Sequence, residues 1–117
     1  MKQKLGLALA AILLVYGWHA RSYDRATWYG EPLRGKLMAN GRPFNPDALT
    51  AASWNYPLGS KLRLVYGGKS VVVKVTDRGG VRALLQFGQV VDLSQAAFAR
   101  LERPAVGSIR VGITPLP

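Results

Sequence analysis

The clearest hydrophobic pattern in this chain lies between positions 61 and 77. Lys61 to Tyr66 alternates polar and apolar side chains (Lys61, Leu62, Arg63, Leu64), the period of a strand with one buried face. Gly67-Gly68 and then the β-branched run Ser70 to Thr76 follow, so the two segments predict a hairpin. Tyr23 to Tyr29 predicts an earlier strand. Val90 to Leu93 and Val106 to Ile113 predict two later ones, the last interrupted by Gly107 and Gly112. Ser94 is placed to cap a helix running to about Glu102, with Ala97 and Leu101 on one face, Phe98 beside them and Pro104 beyond its end. Glu31 to Arg42 keeps no period and is broken by Pro32, Gly35, Asn40 and Gly41, which predicts a loop. Asn45 to Leu49 predicts a short helical turn, with Asn45 as cap, Pro46 at the first helical position and Asp47 at the positive end. Pro57-Leu58-Gly59 marks a second turn, and Val81 to Gln89 a basic, apolar loop. There is no internal repeat. About six short strands, one helix and many turns predict a mainly β domain closed into a small barrel, because an open sheet of this size leaves long bare edges.

Composition adds a leader and a charge. Lys2 and Lys4 precede an almost unbroken apolar stretch from Gly6 to Tyr16, and small residues follow up to Ala20-Arg21-Ser22. That is the layout of a signal peptide over residues 1–22, with an apolar stretch too short for a comfortable membrane span. The expected domain is therefore 23–117, about 95 residues, enough for one small core. The chain carries a formal charge of +10, and removing Lys2, Lys4 and Arg21 leaves +7 for that domain. Such a domain associates with polyanions. Its arginines are scattered and no nucleic-acid-binding motif accompanies them, so the expected partners are anionic envelope polymers and not nucleic acid. No cysteine is present, which excludes disulfides, thiolate metal sites and a lipobox. An exported protein without disulfides fits a bacterial periplasm or cell envelope. The single histidine, His19, lies in the leader, and no carboxylate cluster exists, so neither a metal site nor a cofactor is expected.

Candidate chemistry concentrates where the run Ser70 to Thr76 ends in Asp77-Arg78-Gly79-Gly80. A rigid strand opening into a glycine turn presents a carboxylate and a guanidinium at the mouth of a sheet. Only six acidic residues exist, and Asp92, before Leu93-Ser94, is the plausible second carboxylate. Its placement favours a structural role first, tying a loop or the start of the helix. Trp28, Trp54 and Tyr56 are candidate stacking platforms for sugar rings. Strand alternation favours core packing for Trp28, and loop placement favours a groove position for Trp54.

Taken in order, Ala26-Thr27-Trp28-Tyr29-Gly30, Met38-Ala39-Asn40-Gly41, Ala48-Leu49-Thr50-Ala51-Ala52, Val73-Lys74-Val75-Thr76-Asp77-Arg78-Gly79 and Val91-Asp92-Leu93-Ser94 resemble the rare lipoprotein A (RlpA) family. The resemblance covers about Tyr23 to Ile113 and extends to expansin barrel domains. It implies a six-stranded double-psi β-barrel with one or two short helices. It further implies a lytic transglycosylase acting on peptidoglycan glycan strands between N-acetylmuramic acid and N-acetylglucosamine, leaving a 1,6-anhydro end. In that reading Asp77 is the acid/base, Thr27, Tyr29, Asn40, Trp54 and Arg78 bind substrate, and the protein works as a monomer. Two positions depart from the family. Its Ala-x-Gly-Glu ends here in Arg42, and its Thr-Ala-Ala-His ends in Ser53. The alternative implied by expansins is a non-catalytic module that binds or loosens glycan, using Thr27, Tyr29 and Asp77.

Overall fold

The computed structural model describes residues 23–79 and 89–117; the expected leader (1–22) and most of the loop expected at 81–89 lie outside them. Six strands form one closed barrel: β1 (Tyr23–Tyr29), β2 (Thr50–Ala52), β3 (Lys61–Tyr66), β4 (Lys69–Asp77), β5 (Gln89–Ser94) and β6 (Ile109–Pro115). Their order around the barrel is β1-β5-β2-β4-β3-β6. The pairs β1·β5 and β2·β4 are parallel, and the other four are antiparallel. One short helix, α1 (Gln95–Ala99), and two 3-10 turns, Glu31–Leu33 and Pro104–Val106, complete it.

Alternation builds the core. Leu62 and Leu64 of β3, Val71, Val73 and Val75 of β4, Val91 and Leu93 of β5, and Ile109 and Val111 of β6 all point inward. Ala97, Phe98 and Leu101 belong to the same cluster. Trp28 packs against it as expected, and its indole Nε1 donates to the Pro104 carbonyl at 2.8 Å, anchoring the second 3-10 turn.

Three local expectations shift. The helix stops at Ala99, because Arg100, Leu101 and Glu102 close turns onto Ala97 and Phe98 and the chain reaches Pro104 soon after. The last strand begins at Ile109 instead of Val106, since Pro104–Val106 forms a 3-10 turn ending at Gly107 in a left-handed conformation. Asn45 caps as expected, its Oδ1 accepting from Asp47 N–H at 2.9 Å, but the segment makes a single turn and no helix. The sixth strand, Thr50–Ala52, is three residues long, and only its pairing with β4 and β5 defines it.

Ser94 joins three elements. Its Oγ caps α1 by accepting from Ala97 N–H at 3.2 Å, donates to the Ala48 carbonyl, and accepts from Thr50 N–H at 3.4 Å. Fully buried, it holds the approach to β2 against the end of β5.

Phe98 heads the fully buried side chains by volume. Phe98→Ala is expected to lower the free energy of unfolding by about 3–5 kcal/mol in urea titration. A loss below about 1 kcal/mol would mean that α1 does not plug the barrel.

Candidate active site

The pair β1·β5 runs one way and the pair β2·β4 the other, so the last residues of β2 and β4 come level with Asp92 of β5 and Thr27 of β1 along one stretch of the barrel rim. The register there is informative. Thr27 of β1 faces Asp92 of β5, Asp92 faces Ala52 of β2, and Ala52 faces Asp77 of β4. Two carboxylates therefore lie two strands apart, about 10 Å between backbones, separated by a methyl side chain.

Asp77 reaches the rim through a bulge. Val71, Val73 and Val75 point inward, so strict alternation sends Asp77 into the core as well. Instead the β2·β4 register slips between Ala51, opposite Val75, and Ala52, opposite Asp77. Thr76 is buried as the extra residue, its Oγ1 3.3 Å from Met38 Sδ, and Asp77 emerges half-buried. Its Oδ1 accepts from Ala39 N–H at 3.0 Å and Arg78 N–H at 2.8 Å, and its carbonyl accepts from Ser53 N–H at 2.9 Å. No described hydrogen bond engages Oδ2. Gly79, at φ +81°, then folds the chain over Ala52; an added Cβ would sit 3.4 Å from the Ala52 methyl.

Asp92 is held more deeply. Thr27 Oγ1 donates to its Oδ1 at 2.9 Å. Burial raises its carboxyl above the usual range; the Thr27 hydrogen bond opposes that shift, and the charge of Asp77 adds to it. Tyr29 stacks on Phe44 with ring centroids 4.2 Å apart. Its hydroxyl is buried without a hydrogen-bond partner, and burial followed by the charges of Asp77 and Asp92 keeps the phenol protonated far above the usual range. Thr27, Tyr29, Asp77 and Asp92 thus form one electrostatic unit.

The other expected residues stand around this unit. Asn40 donates its N–H to the Thr76 carbonyl at 3.2 Å, and its Oδ1 accepts from Arg42 N–H, so it shapes the loop that reaches Asp77. Arg78 turns toward the loop 53–56, donating from Nη1 to the carbonyls of Ser53 (3.1 Å) and Tyr56 (2.9 Å). Its guanidinium lies 5.9 Å from the ring centre of Trp54, which is 42% exposed. Sequence reasoning missed Ala39, which acts through its backbone N–H, and Phe44 and Ala52, which act through shape. None carries chemistry that a sequence pattern advertises. Among the described residues no group of three or more His, Cys, Asp or Glu gathers to hold a metal.

The profile of a family described as lytic transglycolase matches residues 22–113. The chain belongs to this family of double-psi β-barrels. Within it, an uncharacterized Synechocystis protein is 39% identical over 93 residues, 78% of this chain and 94% of that protein. The endolytic peptidoglycan transglycosylases RlpA of Yersinia pestis and Pseudomonas aeruginosa are 45% and 38% identical over 78 and 105 residues, 65% and 83% of this chain. The chain spans only 21% and 30% of those two longer proteins. Among solved structures, a Streptomyces papain inhibitor superposes with a TM-score of 0.61 at 28% identity, covering 78% of this chain and 87% of its own. A Clavibacter michiganensis expansin solved with cellohexaose gives a TM-score of 0.60 at 21% identity, covering 80% of this chain and 49% of its own; that likeness concerns the fold.

In this lytic transglycolase barrel the two departures sit on either side of Asp77. Arg42 is exposed on the loop that donates to it, and Ser53 is buried directly after Ala52, its Oγ accepting from Asn55 N–H at 3.1 Å. Ser53 therefore shapes the Trp54 loop.

The environment of Asp92 has a measurable consequence. Its folded pKa lies above the ordinary 3.8, so ionising it costs stability, beginning as pH rises past the unfolded value and complete above the folded one. Asp92→Asn keeps an acceptor for Thr27 and removes the charge. Its stability relative to wild type should be least favourable near about pH 3, grow as pH rises and then level off in urea unfolding across pH. A difference that stays constant with pH would contradict the assigned surroundings of Asp92.

Proposed function

We propose that this protein acts on peptidoglycan glycan strands in the bacterial envelope as a lytic transglycosylase, exported by its first 22 residues. The observation that carries this reading is the line Thr27–Asp92–Ala52–Asp77 across the barrel rim. It sets an outward carboxylate beside a buried, hydroxyl-bonded one. Kinship with the RlpA transglycosylases supports the substrate class.

The reaction needs a carboxylic acid to protonate the leaving glycosidic oxygen. The same group, then a carboxylate, accepts the proton of the sugar's own 6-hydroxyl as that oxygen closes on the anomeric carbon. No water nucleophile enters, so one carboxyl suffices where hydrolases use two. Asp77 takes this role because two backbone N–H groups fix its Oδ1 while no described hydrogen bond engages its Oδ2. Asp92, held by Thr27, shapes the field around Asp77. Tyr29 and Asn40 flank the sugar, and Trp54, steadied by Arg78, offers a ring face for stacking.

A second reading, a glycan-binding module that cuts nothing, is favoured by one observation. Arg42 and Ser53 occupy the positions where the family resemblance expects a glutamate and a histidine.

Purified glycan strands, with and without stem peptides, followed by mass spectrometry of the products, test both. The expected result is anhydromuramic ends, with turnover falling about 10²-fold or more in Asp77→Asn while thermal unfolding stays near wild type. Undiminished activity in Asp77→Asn would move the acid to Asp92. Intact strands that co-sediment with the protein would establish the binding module.

A further inference from the structure

One outer face of the barrel has an unbalanced surface. The outer face of the β3–β4 hairpin carries Lys61, Arg63, Lys69 and Lys74 and no acid. All six carboxylates of the chain are placed elsewhere. Asp77 and Asp92 stand at the rim, Glu31 and Asp47 pair with Arg34 at 2.6 and 2.9 Å, Glu102 lies beside Arg103, and Asp24 belongs to β1. None of the described ion pairs involves a hairpin cation or Arg100.

The same face is concave. Arg63, Lys69 and Arg100 surround a depression of about 580 Å³, with the Ser70 hydroxyl on its wall and Leu49 and Val72 among its apolar lining. Gly67 and Gly68 leave its mouth without side chains. Lys69 and Asp77 stand at the two ends of β4, about 27 Å apart along a nine-residue strand. The depression is therefore separate from the glycan cleft, and nothing in it depends on the chemistry assigned to Asp77.

We propose that this depression is a second binding site, for a linear polymer that carries an oxyanion, phosphate or carboxylate, on each repeat. Guanidinium forks and an ammonium suit such groups, and the valine and leucine surface suits the apolar backbone between them. No aromatic residue lines it, so it lacks the stacking platforms that single-stranded nucleic acid uses. The barrel would then hold an anionic matrix at one end and leave the Asp77 cleft free at the other.

The test uses the full chain with three probes: long-chain inorganic polyphosphate, poly-glutamate, and phosphatidylglycerol vesicles. Affinity is measured across a salt series for wild type, for Arg63→Gln/Lys69→Gln/Arg100→Gln, and for a control of equal net charge, Lys36→Gln/Arg103→Gln/Arg110→Gln. Binding to at least one soluble polymer is expected, and the preferred probe identifies the anion. The depression variant should bind at least about 10-fold more weakly and lose about 2 from the slope of log affinity against log salt, while the control changes less than about 3-fold. The polymer should also raise the melting temperature of wild type and of Asp77→Asn, but not of the depression variant. Equal losses in the two triple variants would reduce the effect to net charge and overturn the proposal. So would preference for vesicles, or no binding to either polymer.

Discussion

The parallel pairing of β1 with β5 and of β2 with β4 is the constraint on which the rest of this molecule depends. Parallel neighbours cannot be joined by a tight hairpin, so the chain must cross the barrel between them. Those crossings set one parallel pair against the other in opposite directions, and Thr27, Asp92, Ala52 and Asp77 fall in line across the four strands. Closure leaves no edge strand, which lets a domain with a small core dispense with disulfides.

Two small irregularities turn this scaffold into a site. The bulge at Thr76 rotates Asp77 out of the core, and Gly79 folds the chain back over Ala52 without a clash. The price is a buried threonine whose hydroxyl, among the described residues, donates to a thioether, a weak acceptor. Around the rim the carboxylates are unequal. Asp77 is tied by backbone donors and open on one oxygen, whereas Asp92 is desolvated, bonded to Thr27 and repelled by Asp77. Two acids whose surroundings differ this much can take different roles at one pH.

Charge is also divided along the barrel. The rim holds two of the six acids, while the outer face of the β3–β4 hairpin gathers cations that no described ion pair engages. The net positive charge of the chain is thus not spread evenly.

Much of the architecture was legible in the sequence because its signals are local. The alternation in Lys61–Tyr66, the Gly67-Gly68 turn, the valine run into Asp77 and the cap at Ser94 each act within a few residues, and each appears in the fold. The order of motifs likewise determined the family and therefore the barrel. Three features were decided only by tertiary structure. Thr50–Ala52 carries too short a pattern to announce a strand and becomes one by pairing on both sides. Arg78 sits next to Asp77 in sequence yet turns to the carbonyls of Ser53 and Tyr56, because the fold brings that loop within its reach. The coupling of Asp92 to Asp77 and Tyr29 arises from burial and from strands distant in sequence, and those distances exist only once the barrel has closed.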